Sequence, residues 1–131
     1  MESTNYLFIY GTLLPEISGR MSQWMAKNSE VICSGSIPGN LYLISDYPAA
    51  VYDIYSSDCV IGLIVELPNK KDCFSILDSY EGKEYQRTIR HVTGNDSIER
   101  MCWMYLYNRP INNLQLISTG NYVEFVKTAK N

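Results

Sequence analysis

One histidine, His91, is all the imidazole that this chain of 131 residues contains. A zinc site needs several His or Cys ligands at close spacing, and a Ser-His-Asp triad would have to use that single ring. His91 lies in an alternating strand pattern and reads as structural. The four cysteines, Cys33, Cys59, Cys73 and Cys102, are far apart and form no C-x-x-C. Set among apolar neighbours, as in "EVICSG" and "RMCWMY", they read as reduced, buried small hydrophobes. No metal and no cofactor is expected. Basic residues are also scarce: 11 Lys and Arg stand against 14 Asp and Glu, for a net charge of −3. With no basic groove to neutralise phosphates, nucleic acid is not an expected partner. Apolar runs stay shorter than about ten residues, too short to cross a bilayer. "MESTNY" carries no positive region ahead of an apolar stretch, so no signal peptide is expected. These absences describe a cytoplasmic protein. Any enzymatic proton transfer must then come from a carboxylate, a tyrosine or a cysteine.

What is present is core-forming material. Hydrophobic residues make up 46% and charged residues 19%, enough to bury the core of one domain spanning residues 1–131. Strand patterns dominate. Residues 5–10 read as a first strand, and 30–37 and 40–45 as two more on either side of "PGN", a turn or sharp bend. A short strand begins near residue 50 in "PAAVYD". "CVIGLIVEL" is a strand buried on both faces. "YQRTIRHV" and "IERMCWMYLYN" alternate as a hairpin about "TGNDS". Two stretches switch to a helical period. Ser18 can cap a short helix with Met21, Trp24 and Met25 on one face. Pro68-Asn69 can start a second, with Cys73, Ile76, Leu77 and Tyr80 as its apolar face and Gly82 ending it. The tail reads as a short helix or strand. About six strands and two or three helices imply an α+β fold with a closed or nearly closed sheet and peripheral helices.

Two stretches carry candidate chemistry. The first strand ends in "YGTL", Tyr10 to Leu13. Gly11 has no Cβ, so a ligand or another chain segment can approach the backbone there. Free N–H groups beyond a strand end can bind a carboxylate or an oxyanion. The second stretch is "LDSYEGKEYQR", where Asp78, Glu81 and Glu84 gather at a helix end. Asp78 and Glu84 read as its solvated side. Glu81 lies between Tyr80 and the helix-ending Gly82, where the chain turns at the core edge. Burial at that point would raise its pKa into the range of general acid–base catalysis.

Taken together, "YGTL" after the first strand and "LD-x-x-EG" with a following "Y-x-R" some seventy residues on resemble the gamma-glutamylcyclotransferase-like family. That family includes gamma-glutamylamine cyclotransferases and the plant avirulence-induced proteins. Its "G-x-L-Y" and "Y-P-A" are matched by Gly39 to Tyr42 and by Tyr47 to Ala49. Its buried strand is matched by Val60 to Leu67, and its aromatic late strand by Trp103, Tyr105 and Tyr107. Its "S-G-D-W" is only loosely echoed by Thr119 to Tyr122. The resemblance implies a small mixed β-barrel with helices around it. It further implies a cavity for a gamma-glutamyl group, a substrate-binding loop at Tyr10, Gly11, Thr12 and Leu13, a pocket tyrosine at Tyr85, and Glu81 as proton acceptor. The implied reaction closes a gamma-glutamyl amide to 5-oxoproline and frees an amine or amino acid, without a metal. The alternative is a non-catalytic domain of the same fold that keeps the pocket for a small metabolite.

Overall fold

The computed structural model describes residues 4–129. In chain order the elements are β1 (Tyr6–Ile9), α1 (Arg20–Asn28), β2 (Glu30–Ile44), β3 (Tyr47–Tyr52), β4 (Cys59–Glu66), α2 (Lys70–Glu81), β5 (Tyr85–Gly94), β6 (Glu99–Tyr107), β7 (Gln115–Leu116) and α3 (Tyr122–Ala129). Strands are hydrogen-bonded in the order β3-β2-β4-β1-β6-β5. β5 then returns to β2 through Gly35↔Gly94 and Ser36↔Thr93. Five strands therefore close into a barrel, and β3 and β7 pair with β2 outside that ring. Among the described residues, the one parallel pairing is β1 with β6. The fold is thus α+β and the barrel is mixed, with one strand more than the pattern implied. No helix among the described residues is long and apolar enough to cross a membrane.

β1 shows why the first strand is apolar on both faces. Its period of two sends Phe8 into the barrel, where it meets Ile37, Val60, Ile64 and Met104. Leu7 and Ile9 point the other way, against Met25 of α1 and Phe74 and Leu77 of α2. β4 divides in the same manner, with Val60 and Ile64 inside and Val65 outside. Barrel interior and helix layer are thus two cores sharing one wall.

Several local expectations are corrected. Of the turn or sharp bend expected at "PGN", no turn forms. β2 runs unbroken from residue 30 to 44, and Pro38-Gly39 is where it exchanges partners. Residues through Pro38 pair with β4, and those from Gly39 pair with β3. Gly39 takes φ 146°, and a Cβ there would lie 2.1 Å from the Val51 carbonyl oxygen. The glycine therefore serves a close strand crossing. α1 starts at Arg20 behind Gly19, not behind a capping Ser18. On α2 the buried face is Cys73, Phe74 and Leu77, while Ile76 and Tyr80 are exposed. The helix does end as its sequence implies: Gly82 turns the chain at φ 81° and donates its N–H to the Asp78 carbonyl. Cysteines 73 and 102 are buried, but Cys33 is only half-buried and Cys59 is exposed. His91 is exposed on β5, with Nδ1 3.7 Å from Glu99.

Candidate functional site

The end of β1, the start of β3 and the end of α2 meet around a cavity of about 350 Å³. That is the size class of a small-metabolite pocket. Its wall includes all the residues that the sequence singled out, Tyr10 to Leu13, Glu81 and Tyr85. It also includes Tyr47, Pro48, Tyr80, Glu84 and Tyr105. Among the described residues, no Lys, Arg or His lines it.

The loop after β1 is held in place from below. Gly11 does not adopt positive φ. Its side-chain hydrogen faces Pro48, whose Cγ lies 2.3 Å from where a Cβ would stand. The segment that comes close to this glycine is thus β3. The Leu14 N–H donates to the Gly11 carbonyl at 3.0 Å, which makes a tight turn. Leu13 is buried in the helix-side core. Among the described residues, the N–H groups of Gly11, Thr12 and Leu13 donate to no protein acceptor. Thr12 Oγ1 lies 2.7 Å from the Tyr80 hydroxyl.

The two tyrosines differ from simple pocket donors. The Tyr10 side chain is buried, and its hydroxyl donates to the Tyr105 carbonyl at 2.6 Å while accepting the Ala50 N–H at 3.4 Å. It ties β1 to β6 and β3. Burial first, and then the nearby Glu81 charge, push its pKa well above the ordinary tyrosine value. Tyr85, the first residue of β5, donates its hydroxyl to the Pro48 carbonyl at 2.8 Å. Its pKa is raised by burial and then by Glu81 and Glu84. Both hydroxyls are neutral and committed to the backbone, so both rings shape the cavity.

The carboxylates at the end of α2 have opposite fates. Asp78 is on the exposed side, as the sequence implied, but it is not idle. It accepts Arg87 Nε at 3.0 Å, Arg87 Nη2 at 3.2 Å and the Tyr105 hydroxyl. Arg87 is itself stacked over Phe74 and Trp103. Partial burial opposes ionisation of Asp78, but the hydrogen bonds from Arg87 and Tyr105 outweigh it and hold the pKa below the ordinary aspartate value. Glu81 is the last residue of α2 and is half-buried. Among the described residues, no hydrogen bond or ion pair compensates its charge, and burial raises its pKa to about 7. Two carboxyls three positions apart are therefore pushed apart in acidity, which marks one as structural and the other as fit for proton transfer.

A family profile described as "Gamma-glutamyl cyclotransferase, AIG2-like" matches residues 7–124. The chain belongs to this family. Among curated relatives, the "Gamma-glutamylcyclotransferase family protein YtfP" of Escherichia coli is 29% identical over 121 residues, covering 90% of this chain and 96% of that protein. Among solved structures, the AIG2-like protein of Mus musculus superposes with a TM-score of 0.75 at 20% identity, covering 90% of this chain and 87% of that one. YkqA of Bacillus subtilis gives a TM-score of 0.77 at 21% identity, over 96% of this chain and 42% of that one. These two likenesses share the fold with the family member described here.

The sequence missed Pro48, Tyr105 and Tyr80 as builders of the site. Pro48 and Tyr105 each stood inside a stretch matched to the family, which was the available signal. Tyr80 falls at an open position of "LD-x-x-EG" and gave none.

Proposed function

We propose that the protein is a gamma-glutamyl cyclotransferase that converts a gamma-glutamyl amide to 5-oxoproline and a free amine or amino acid. The observation that carries this reading is the Glu81 carboxyl. Among the described residues it has no compensating partner, burial raises its pKa to about 7, and it shares a cavity with a loop whose backbone N–H groups donate to no described acceptor. The substrate carries its own nucleophile. Its α-amine attacks its γ-carbonyl, a C–N bond forms to close the five-membered lactam, and the original amide C–N bond breaks. The α-ammonium loses two protons on the way to the lactam N–H. Glu81 accepts a proton as base and returns one, as acid, to the departing nitrogen. The freed amine takes up the second proton in water. With no cationic side chain in the wall among the described residues, the N–H groups of Gly11 to Leu13 serve the anionic oxygens of the substrate. Holding the amine against its own carbonyl supplies the rest of the acceleration. The reading places this chemistry in the cytoplasm, where the four unpaired cysteines stay reduced.

The direct test is to incubate the purified protein with a panel of gamma-glutamyl amides and assay 5-oxoproline. Release from at least one amide is expected, and none from the corresponding alpha-glutamyl amides. A protein that binds 5-oxoproline but turns over no member of the panel would instead be a metabolite-binding domain of the same fold.

The pH profile is a second test. Glu81 must be ionised to accept a proton, so kcat/KM is expected to rise with pH through about 7. Stability moves the other way. A carboxyl whose pKa is raised in the folded state favours folding when protonated. That contribution is full below the ordinary value of 4.5 and is lost as pH rises through about 7. Glu81→Gln removes the penalty. It is expected to raise Tm relative to wild type near pH 8 and to leave it level near pH 4. Equal Tm differences at both pH values would show that Glu81 is not desolvated.

A further inference from the structure

The cyclotransferase reading needs two parts of the site at a fixed separation: the N–H groups of residues 11–13 and the Glu81 carboxyl. They belong to different elements. The loop hangs from the end of β1, and Glu81 closes α2. Beneath them, Leu13 and Leu77 are packed in the same core. At the level of the cavity, the described hydrogen bond between loop and helix is the one from Thr12 Oγ1 to the Tyr80 hydroxyl, 2.7 Å long. Thr12 is the half-buried residue of a tetrapeptide whose other members are buried, and Tyr80 is the residue before Glu81. Both line the cavity. The helix-side core does not call for a tyrosine at this position, because the side chain is 41% exposed and lies off the buried face of α2.

We propose that Tyr80 is a positioning residue. Its hydroxyl clamps Thr12 and so sets the distance from the loop's N–H groups to Glu81. This rests on the cyclotransferase reading. Tyr80 does not exchange protons with the substrate; it acts through Thr12. An exposed hydrogen bond contributes little to global stability. A shift of about 1 Å between reacting groups, in contrast, costs on the order of a hundredfold in rate. The clamp should therefore affect turnover far more than melting.

The experiment compares wild type with Tyr80→Phe, Thr12→Val, Thr12→Ser and the Tyr80→Phe/Thr12→Val double variant. Turnover is followed as 5-oxoproline release from one gamma-glutamyl amide that wild type accepts. Tyr80→Phe and Thr12→Val are each expected to lose about tenfold or more in kcat/KM, with Tm close to wild type. The double variant should lose no more than either single, because both remove one bond. Thr12→Ser keeps a hydroxyl and should retain most activity. The pH midpoint near 7 should stay in place in Tyr80→Phe, since Glu81 remains the titrating group. Losses that multiply in the double variant would overturn the clamp, as would rates within about twofold of wild type in either single variant. A wild type that turns over no amide would overturn the cyclotransferase reading. The clamp is then decided by titrating 5-oxoproline into wild type, Tyr80→Phe and Thr12→Val. Weaker binding by both variants supports it, and equal binding overturns it. A wild type that neither reacts nor binds overturns both proposals, because there is then no site to hold together.

Discussion

Glu81→Gln is expected to abolish turnover, by about a thousandfold or more, while the protein still folds and still binds 5-oxoproline. A single carboxyl acting first as base and then as acid supports two proton transfers. General acid–base groups are worth about 10²–10⁴ in rate. Glutamine preserves the side chain's shape and hydrogen-bonding capacity but cannot ionise. The controls are Asp78→Asn and Glu84→Gln. Asp78 already has its charge matched by Arg87, so losing it should cost about 1 kcal/mol or less at this exposed site. Glu84 is exposed at the cavity rim. Each control should keep turnover within about tenfold of wild type. Single-turnover assays of all three, with circular dichroism to check folding, decide the matter. A control as damaging as Glu81→Gln would mean that the proton is carried by a different carboxylate.

The second large effect is one of packing. Gly11→Val is expected to cost about 1–3 kcal/mol of stability, because the position that its Cβ needs is already filled by Pro48. For a domain of this size that is a fall of several degrees in Tm. Gly11→Ala should already show much of it, since the first added carbon makes the clash. Weaker binding of 5-oxoproline by Gly11→Val would thus mix blocking of the ligand with displacement of β3. Pairing the substitution with Pro48→Ala separates the two. That change removes Cγ but keeps the carbonyl that receives the Tyr85 hydroxyl, so the pair should recover part of the lost Tm. A single variant that melts like wild type would show that the loop yields freely and that Pro48 does not constrain it.

The sequence made legible whatever rests on short-range pattern. β1 and the two-faced β4 follow from continuous apolar runs, the β5–β6 hairpin from alternation, and the end of α2 from Gly82. "YGTL" and "LD-x-x-EG" lead to one cavity. What it concealed depends on distant partners. "PGN" looks like a turn because proline and glycine usually break a strand. Here they mark a change of partner, and only β3 and β4 in place reveal it. Ile76 and Tyr80 share a helical spacing with Leu77, but the barrel meets α2 along Cys73, Phe74 and Leu77, so the true face is rotated. Tyr10 lines the cavity as expected, but that its hydroxyl spans β6 and β3 is invisible in the sequence. Gly11 reads as a place where a ligand or another chain segment can approach, and only the fold shows Pro48 beside it. Each of these depends on a contact between segments tens of residues apart, which no local window contains.

The placement of β1 has a consequence for how the chain is made. This strand lies between β4 and β6, so it is the first strand to be synthesised and has one neighbour among the last. Until β6 is complete at Tyr107, the apolar stretch from Leu7 to Ile9 keeps an open edge, the kind that templates association between chains. Ring closure also needs contacts between distant segments, which slows folding. A nascent chain that stalls before Tyr107 would hold a finished "YGTL" segment and a finished α2 with no barrel to bring them together. The cavity is therefore among the last parts of the protein to exist, although the loop that forms part of its wall is among the first to be translated.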